Sequence, residues 1–136
     1  MSVHAIPALA AISSKATHRW YARIELDSGT TIQGTATGRH AFWIEFEGFS
    51  RTERKKPLHA PHVVVHLTKR PDIASARIYS TLASGRMVTL RLEYVEGNRT
   101  RISAVMRNAR LTGMRIARDN REEIDVTAPR MEWTVR

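Results

Sequence analysis

Residues 68–94 read TKRPDIASARIYSTLASGRMVTLRLEY and contain the change of periodicity that decides the fold. In the first half of this stretch, Ala74, Ile78 and Leu82 recur every four residues, as apolar side chains do on one face of a helix. In the second half, apolar and polar residues alternate, which is typical of a strand with one exposed face. The stretch therefore predicts a helix over residues 74–84 followed by a β-strand.

The residues that flank this helix are suited to its two ends. Asp72 or Ser75 can cap the start, because a short side chain with an oxygen atom accepts hydrogen bonds from the free N–H groups of the first turn. Gly85 fits the left-handed position that commonly follows a helix. The boundaries of the helix are therefore predicted by chemistry as well as by periodicity.

Outside the helix, the periodicity is two along most of the chain. Apolar residues alternate with polar ones in segments 20–26, 42–46, 63–67, 88–94, 102–106, 111–117, 124–128 and 131–135. About eight strands and one helix predict a mainly β protein, either a β-barrel or a two-sheet sandwich with the helix packed on its outside or end.

Three places are predicted to interrupt the strands. Residues 51–61 are basic, contain two prolines and lack periodicity, so we predict a loop there. The strand that begins near Ile102 is expected to bend near Asn108. Pro129 cannot donate a hydrogen bond to a neighbouring strand, so it predicts a bulge or a sheet edge.

The length and composition limit the class of protein. A chain of 136 residues suits one domain, which we place at residues 19–136, preceded by an arm of residues 1–18. The absence of cysteine excludes disulfides, cysteine-bound zinc and thiol catalysis. The longest apolar stretch, residues 3–12, is shorter than the ~18 residues that a membrane-spanning helix needs, so no integral membrane association is expected.

The formal net charge of +9 suggests a partner that carries negative charge. Nucleic acid, an anionic membrane surface and an acidic protein are the candidates. A nucleic-acid-binding β-fold would interleave aromatic side chains with Lys and Arg on one exposed face. Trp43 and Phe49 instead flank Glu45 and Glu47, which have the wrong charge. Phosphate binding stays open, but we do not expect sequence-specific recognition of nucleic acid.

The sequence predicts neither an enzyme nor a metal or cofactor site. His62 and His66 flank a strand rich in valine, and four residues along a strand place them ~13 Å apart, too far for one metal ion. Glu45 and Glu47 lie on one strand face, where charged pairs are usually solvated rather than catalytic. No phosphate-binding glycine loop, nucleophile elbow or zinc-binding His-Glu-x-x-His motif is present.

The order of motifs resembles the haemolysin-coregulated protein (Hcp) family, the tube proteins of bacterial type VI secretion systems. Four stretches carry the resemblance: Gly34 with residues 40–45 and Phe49-Ser50, residues 68–85, residues 101–116, and residues 122–134. The second stretch is similar to the family's Thr-Lys-x-x-Asp-x-Ala-Ser helix ending in Gly, and the last to its closing strand ending in Trp-Thr. Ala76 departs from the family, which often has Pro at the helix start.

The resemblance implies a structural role based on assembly. Six protomers of the family form a ring, and the rings stack into a tube that carries effectors and is exported. The implied partners are other copies of the chain, the secretion sheath, the spike and effector proteins. The implied location is the bacterial cytoplasm during assembly and then the outside of the cell. A basic β-barrel module that binds nucleic acid and a phage-like tail-tube protein are the alternatives.

The resemblance also suggests roles for individual residues. Ser50 is the candidate for the lumen and for cargo contact, although strand parity places it on the face of Phe42, Ile44 and Phe46 unless the chain bends near Gly48. The basic segment is the candidate for ring stacking or for contact with an acidic partner, through Arg51, Arg54, Lys55 and Lys56. The residues of the helix and closing-strand motif are expected to be structural: Asp72, Ala74, Ser75, Leu82, Gly85 and Trp133.

Overall fold

The computed structural model describes residues 18–56 and 59–136 of the chain. The predicted N-terminal arm, residues 1–18, lies outside the described residues except for His18, which begins the first strand. Within the described ranges the elements are β1 (His18–Leu26), β2 (Ile44–Phe46), β3 (Gly48–Lys56), β4 (His59–Lys69), α1 (Ser75–Ser84), β5 (Met87–Glu96), β6 (Arg99–Ile116), β7 (Glu122–Ala128) and β8 (Glu132–Val135).

The eight strands of the described ranges form one antiparallel sheet that closes on itself. Seven of them follow the order β2-β1-β5-β6-β7-β4-β3, and β8 pairs with β6 beside this path. The two ends of the order, β2 and β3, are consecutive in the chain and are separated only by Glu47. The N–H of Glu47 donates to the carbonyl oxygen of Thr68 in β4, at 2.7 Å. The predicted mainly β fold with one flanking helix is confirmed, and it is a barrel.

The barrel interior is filled by the apolar side chains of the period-two pattern. Val65, Leu90, Leu92, Met106 and Val126 are each 0–1% exposed and belong to one continuous core. Burial of such a side chain stabilises the fold by about 1.5–3 kcal/mol. The alternation in the sequence therefore gives the strands apolar faces that pack around one interior.

Strand β6 is long because it bends, as the sequence predicted. Asn108 adopts a left-handed backbone conformation (φ 55°), which asparagine tolerates better than most residues. The register with β5 shifts at this point, between Val88 and Leu90. The bend lets the first half of β6 pair with β5 and β8, and the second half pair with β7.

The predicted loop over residues 51–61 is wrong for residues 51–56 and 59–61, which belong to strands, and residues 57–58 lie outside the described part of the chain. Strands β3 and β4 extend into this region and pair in antiparallel register from Gly48 opposite Thr68 to Lys56 opposite His59, with an irregularity after Arg54. The sequence did not show an apolar–polar alternation in β3, because Arg51, the next inward residue after Phe49, is charged. Arg51 places its guanidinium 5.4 Å from the ring centroid of Trp133, so a cation covers this end of the core.

The predicted position of Phe42 is also wrong. The sequence pattern placed this residue on the buried face of a strand. The strand begins only at Ile44, and Phe42 lies in a turn with a left-handed backbone (φ 68°) and 64% of its surface exposed. Its neighbours Gly38–His40 form a short 3-10 turn. The alternation of Phe42 with Ile44 therefore did not reflect a shared face.

Candidate functional site

The helix motif surrounds a buried lysine at the end of β4. Lys69 is 1% exposed, and its Nζ atom donates to Glu122 Oε1 at 2.7 Å and to Asp72 Oδ1 at 2.9 Å. The same ammonium group also donates to Ser75 Oγ at 3.2 Å and to the carbonyl oxygen of Arg70 at 2.9 Å. A buried cation is tolerated only when it is paired and fully hydrogen-bonded, and these four acceptors meet that condition.

This network also fixes the start of α1. Asp72 Oδ1 accepts the N–H of Ala74 at 2.9 Å, and the N–H of Asp72 donates to Ser75 Oγ at 3.0 Å. Ser75 Oγ–H in turn donates to Glu122 Oε1 on β7 at 2.9 Å. Asp72 and Ser75 therefore both act at the helix start, and they tie it to two strands.

The remaining residues of the motif hold the helix and the closing strand against the barrel. Ala74 is fully buried, Leu82 packs against the core, and Gly85 has the left-handed conformation (φ 67°) that ends the helix. Trp133 in β8 meets the ring of Phe49 edge-on, at a centroid distance of 5.8 Å. Ala74, Leu82, Gly85 and Trp133 thus lie at packing or helix-end positions. The predicted side-chain cap is wrong, because the N-cap is Ala74 and it has no side-chain cap hydrogen bond. Asp72 and Ser75 instead bind the residues that lead into the helix.

A second apolar cluster lies on the outer face of the barrel, beneath the segment between β1 and β2. The ring of His40 stacks on Tyr21 (centroids 4.3 Å, interplanar angle 6°) and meets Trp43 edge-on at 5.1 Å. His40 Nε2 lies 2.6 Å from Glu93 Oε1, and burial raises the pKa of Tyr21. The sequence alone did not predict this structural role of His40. The available signal was the His-x-x-Trp spacing, which places His40 and Trp43 in contact.

Gly34 allows the same segment to close on itself. Its N–H donates to the carbonyl oxygen of Phe42 at 2.8 Å, and the N–H of Ala36 donates to that of Trp43 at 3.1 Å. A Cβ atom on Gly34 would lie 2.3 Å from the Trp43 oxygen. The glycine of the first family motif is therefore required by the close approach of two backbone segments.

Ser50 faces the outside of the barrel because the chain bends at Glu47. Phe46 is buried, and Phe49 also packs against the core, so the alternation changes phase between β2 and β3. Ser50 is opposite His66 in the strand register, and His66 is opposite Asp125. The bend that the sequence required near Gly48 is present, and it separates Ser50 from the faces of Ile44 and Phe46.

The side chains around Ser50 form a hydrogen-bonded row across three strands. His66 Nδ1–H donates to Asp125 Oδ1 at 2.7 Å, and Arg115 donates to Asp125 Oδ2 at 3.2 Å and to Glu123 at 2.7 Å. Burial alone would raise the pKa of Asp125, but the hydrogen bonds from His66 and Arg115 outweigh it and lower the pKa below its usual range. The row is therefore a hydrogen-bonded polar surface that presents an imidazole, a guanidinium and two carboxylates.

An open recess of about 400 Å³ lies over this row. It is lined by Phe49, Ser50, His66, Leu67, Thr68, Arg115 and Glu123. Its chemistry suits recognition of polar groups, since it offers hydroxyl, imidazole, guanidinium and carboxylate groups. The hydroxyl of Thr52 lies 3.4 Å from His66 Nε2, longer than the about 2.6–3.2 Å typical of an activated nucleophile.

The basic candidate residues do not form one free loop. Arg51 is partly buried, lies over Trp133 and forms an ion pair with Glu53. Arg54, Lys55 and Lys56 complete β3, with Arg54 opposite His62. Their side chains lie outside the described part of the structure. Within the described residues, no three His, Asp or Glu side chains gather as a metal site would require.

The two glutamates that the sequence placed on one face are separately engaged. Glu45 pairs with Arg19 at 3.1 Å. Glu47 pairs with Arg70 at 3.2 Å and with Arg121 at 2.5 Å, and the hydrogen bond from Arg121 lowers its pKa. Each carboxylate is thus bound by its own cations.

No helix of the described residues has the length and apolar character needed to span a membrane.

These features define a class of protein: a closed antiparallel barrel with one helix that is anchored by a buried lysine network. Compared by structure, this is the fold of Hcp proteins. The chain is similar to the Hcp1 protein from the E. coli EAEC 042 pathovar, with a TM-score of 0.76 and 15% identity over 87% of this chain and 91% of that one.

Two further solved structures support the same fold. The secreted protein Hcp3 from Pseudomonas aeruginosa gives a TM-score of 0.70 with 16% identity over 85% of this chain and 91% of that one. A type VI secretion system effector from Yersinia pestis gives 0.62 with 17% identity over 84% and 87%. Compared by sequence, the chain matches no protein-family model and no curated protein.

Proposed function

We propose that this chain is a structural tube component of a bacterial type VI secretion system, with a role in assembly and not in catalysis. The observation that carries the proposal is the agreement of the whole barrel with the Hcp proteins, at a TM-score of 0.76 over 87% of the chain. The placement of the motif residues supports it, because the lysine network and the Gly34 contact explain why those residue types occur there.

In this proposal six protomers form a ring, and rings stack into a tube that carries effectors. Six large apolar side chains of the described residues are exposed, and in this proposal they are available for contacts between protomers. They are Phe42, Ile73, Tyr79, Met87, Ile116 and Val135, each at least 39% exposed. The sheath, the spike and effector proteins are the further partners, and assembly takes place in the bacterial cytoplasm before export.

The recess beside Ser50 is the proposed lumen and cargo surface. Its support is the outward direction of Ser50 and the polar row that continues from it through His66 to Asp125. The basic end of β3, with Arg54, Lys55 and Lys56, is the proposed contact with the next ring or with an acidic cargo protein.

The experiment that tests the proposal is a mass measurement. Size-exclusion chromatography with light scattering should give a hexamer at high protein concentration, and electron microscopy should show rings. A protein that stays monomeric at every concentration, without rings, would contradict the tube function. A gel-shift assay at low salt distinguishes the tube function from the nucleic-acid alternative. A nucleic-acid-binding protein would shift DNA or RNA, and its affinity would fall steeply as salt rises.

A further inference from the structure

The recess over Ser50 receives polar side chains from four neighbouring strands. Its volume of about 400 Å³ lies within the range of about 300–1,000 Å³ that is typical of small-ligand sites. Phe49 and Leu67 add apolar surface to its lining. The polar part of the lining consists of Ser50 on β3, His66 and Thr68 on β4, Glu123 on β7 and Arg115 on β6.

The two oppositely charged residues of this lining are paired with each other. Arg115 Nε donates to Glu123 Oε1 at 2.7 Å, and Arg115 Nη1 donates to Asp125 Oδ2 at 3.2 Å. A carboxylate on a ligand would therefore approach a guanidinium that two carboxylates already hold. An ammonium group would approach the same guanidinium, on a protein whose net charge is +9. Neither kind of charged ligand finds an unpaired counter-charge in the recess.

His66 contributes a hydrogen-bond acceptor with a fixed orientation. Its Nδ1 atom lies 2.7 Å from Asp125 Oδ1, and hydrogen bonds hold the pKa of Asp125 below its usual range, so this carboxylate is ionised at neutral pH. An ionised carboxylate only accepts, so the proton of this hydrogen bond is on Nδ1. The neutral imidazole therefore has its lone pair on Nε2, which the hydroxyl of Thr52 approaches only to 3.4 Å.

Two hydroxyl groups complete the polar lining. Ser50 is directly opposite His66 in the strand register, and Thr68 is opposite Glu123. Within the part of the chain that the structure describes, neither hydroxyl forms a hydrogen bond with another residue. A hydroxyl both donates and accepts. The recess thus offers donors and acceptors to a ligand without offering it a free charge.

We infer that the recess binds a neutral group with both a donor and an acceptor, above all the carboxamide of a Gln or Asn side chain on a cargo segment. A carboxamide can donate to His66 Nε2 and accept from the hydroxyl of Ser50 or Thr68. The side chain of Glu lacks the donor, and that of Lys lacks the acceptor. The inference deepens the proposed cargo surface and rests on that function, although all of its residues belong to one protomer.

The test compares three probe peptides: acetyl-Gly-Gln-Gly-amide and the same peptide with Glu or Lys at its centre. Saturation-transfer difference NMR measures their dissociation constants at neutral pH. We expect the Gln peptide to bind about fivefold more tightly than either charged peptide, the effect of about one net hydrogen bond. Ser50→Arg fills the recess and should abolish this preference, whereas Thr127→Arg, which lies outside the lining, should keep it.

Glu123→Gln and Glu132→Gln form a matched pair, because each removes one negative charge that is paired with an arginine. Glu123→Gln frees part of Arg115 inside the recess, so the advantage of the Gln peptide over the Glu peptide should disappear. Glu132 pairs with Arg107 outside the lining, so Glu132→Gln should keep that advantage. A wild type that favours a charged peptide, an equal change in both variants, or no binding of any probe would overturn the inference.

Light scattering on the same samples distinguishes a failure of the inference from a failure of the tube function. A hexamer without preference for the Gln peptide would contradict the inference alone. A monomer with that preference would support the inference and contradict the tube function. Circular dichroism checks that each variant is folded.

Discussion

Lys69 Nζ lies 2.7 Å from Glu122 Oε1, and both side chains are almost completely buried between the end of β4, the start of α1 and β7. The pair explains why a lysine occurs at the start of the helix motif, where the chain is buried. Its ammonium group is the common partner of Glu122, Asp72 and Ser75, so it joins two strands to the helix. The stability of the barrel and the placement of the helix are therefore coupled through one residue.

Substitution of Lys69 by Met should destabilise the protein by about 3–5 kcal/mol, because it leaves the Glu122 carboxylate buried without a cation. Urea unfolding followed by circular dichroism measures the change. The variant that combines Lys69→Met with Glu122→Leu should recover part of the loss, since removing both charges removes the desolvation penalty. A double variant that is no more stable than Lys69→Met alone would contradict this account of the pair.

Gly34→Ala should lower the free energy of unfolding by about 1–3 kcal/mol, as overpacking does, because its Cβ atom would meet the carbonyl oxygen of Trp43 at 2.3 Å. Gly48→Ala is the matched control. A Cβ atom there has its nearest contact at 3.5 Å, to Thr68, which is an ordinary van der Waals distance. Equal losses in the two variants, measured by thermal unfolding, would show that the close approach at Gly34 is not responsible.

Acid should weaken the fold through Asp125, whose pKa lies below its usual range. Burial opposes this shift, and the hydrogen bonds from His66 and Arg115 produce it. Because the unfolded chain takes up the proton more readily, the stabilisation is present above about pH 4, the unfolded value, and is lost as the pH falls through the lower folded pKa.

The measurement is the urea midpoint of the wild type and of Asp125→Asn as the pH is lowered from neutral. We expect the two curves to converge in acid, since the variant has no carboxylate to protonate at this position. Curves that stay parallel throughout would show that Asp125 contributes nothing to the acid sensitivity.

A substitution at Ser50 tests the proposed lumen surface. Ser50→Arg should leave the ring intact but weaken capture of an effector, because a long cation would fill the recess beside His66. Thr127→Arg is a suitable control, since Thr127 is also outward, on β7 at the far side of β4, but does not line the recess. Loss of the ring in Ser50→Arg alone would place Ser50 at a contact between protomers.

The periodicity predicted α1 and most strands because their buried positions are apolar. That pattern is visible within each short segment of the sequence. Strand β3 and the first residues of β4 were missed because Arg51, on the inward side of β3, lies over Trp133, a partner far away in sequence. The row from Ser50 through His66 to Asp125 depends on the register of three strands, which no single segment contains. The position of Phe42 depends on its backbone conformation, and alternation alone cannot report that.

Self-association of the protein should strengthen as salt is added. Each protomer carries +9, and its carboxylates are already paired within the chain, so two protomers repel at low ionic strength. Salt screens this repulsion, with a Debye length of about 10 Å at 0.1 M and about 3 Å at 1 M, while the apolar contacts of residues such as Ile73 and Tyr79 remain.

Sedimentation velocity at fixed protein concentration measures this dependence, and Arg77→Glu with Arg118→Glu provides the comparison. That variant carries less positive charge and should assemble at lower salt than the wild type. Rings that dissociate as salt rises would show instead that protomers exchange their internal ion pairs for contacts with one another. In that case the arginines without internal partners would face the carboxylates of a neighbouring copy, and the excess charge of the protein would act within the tube.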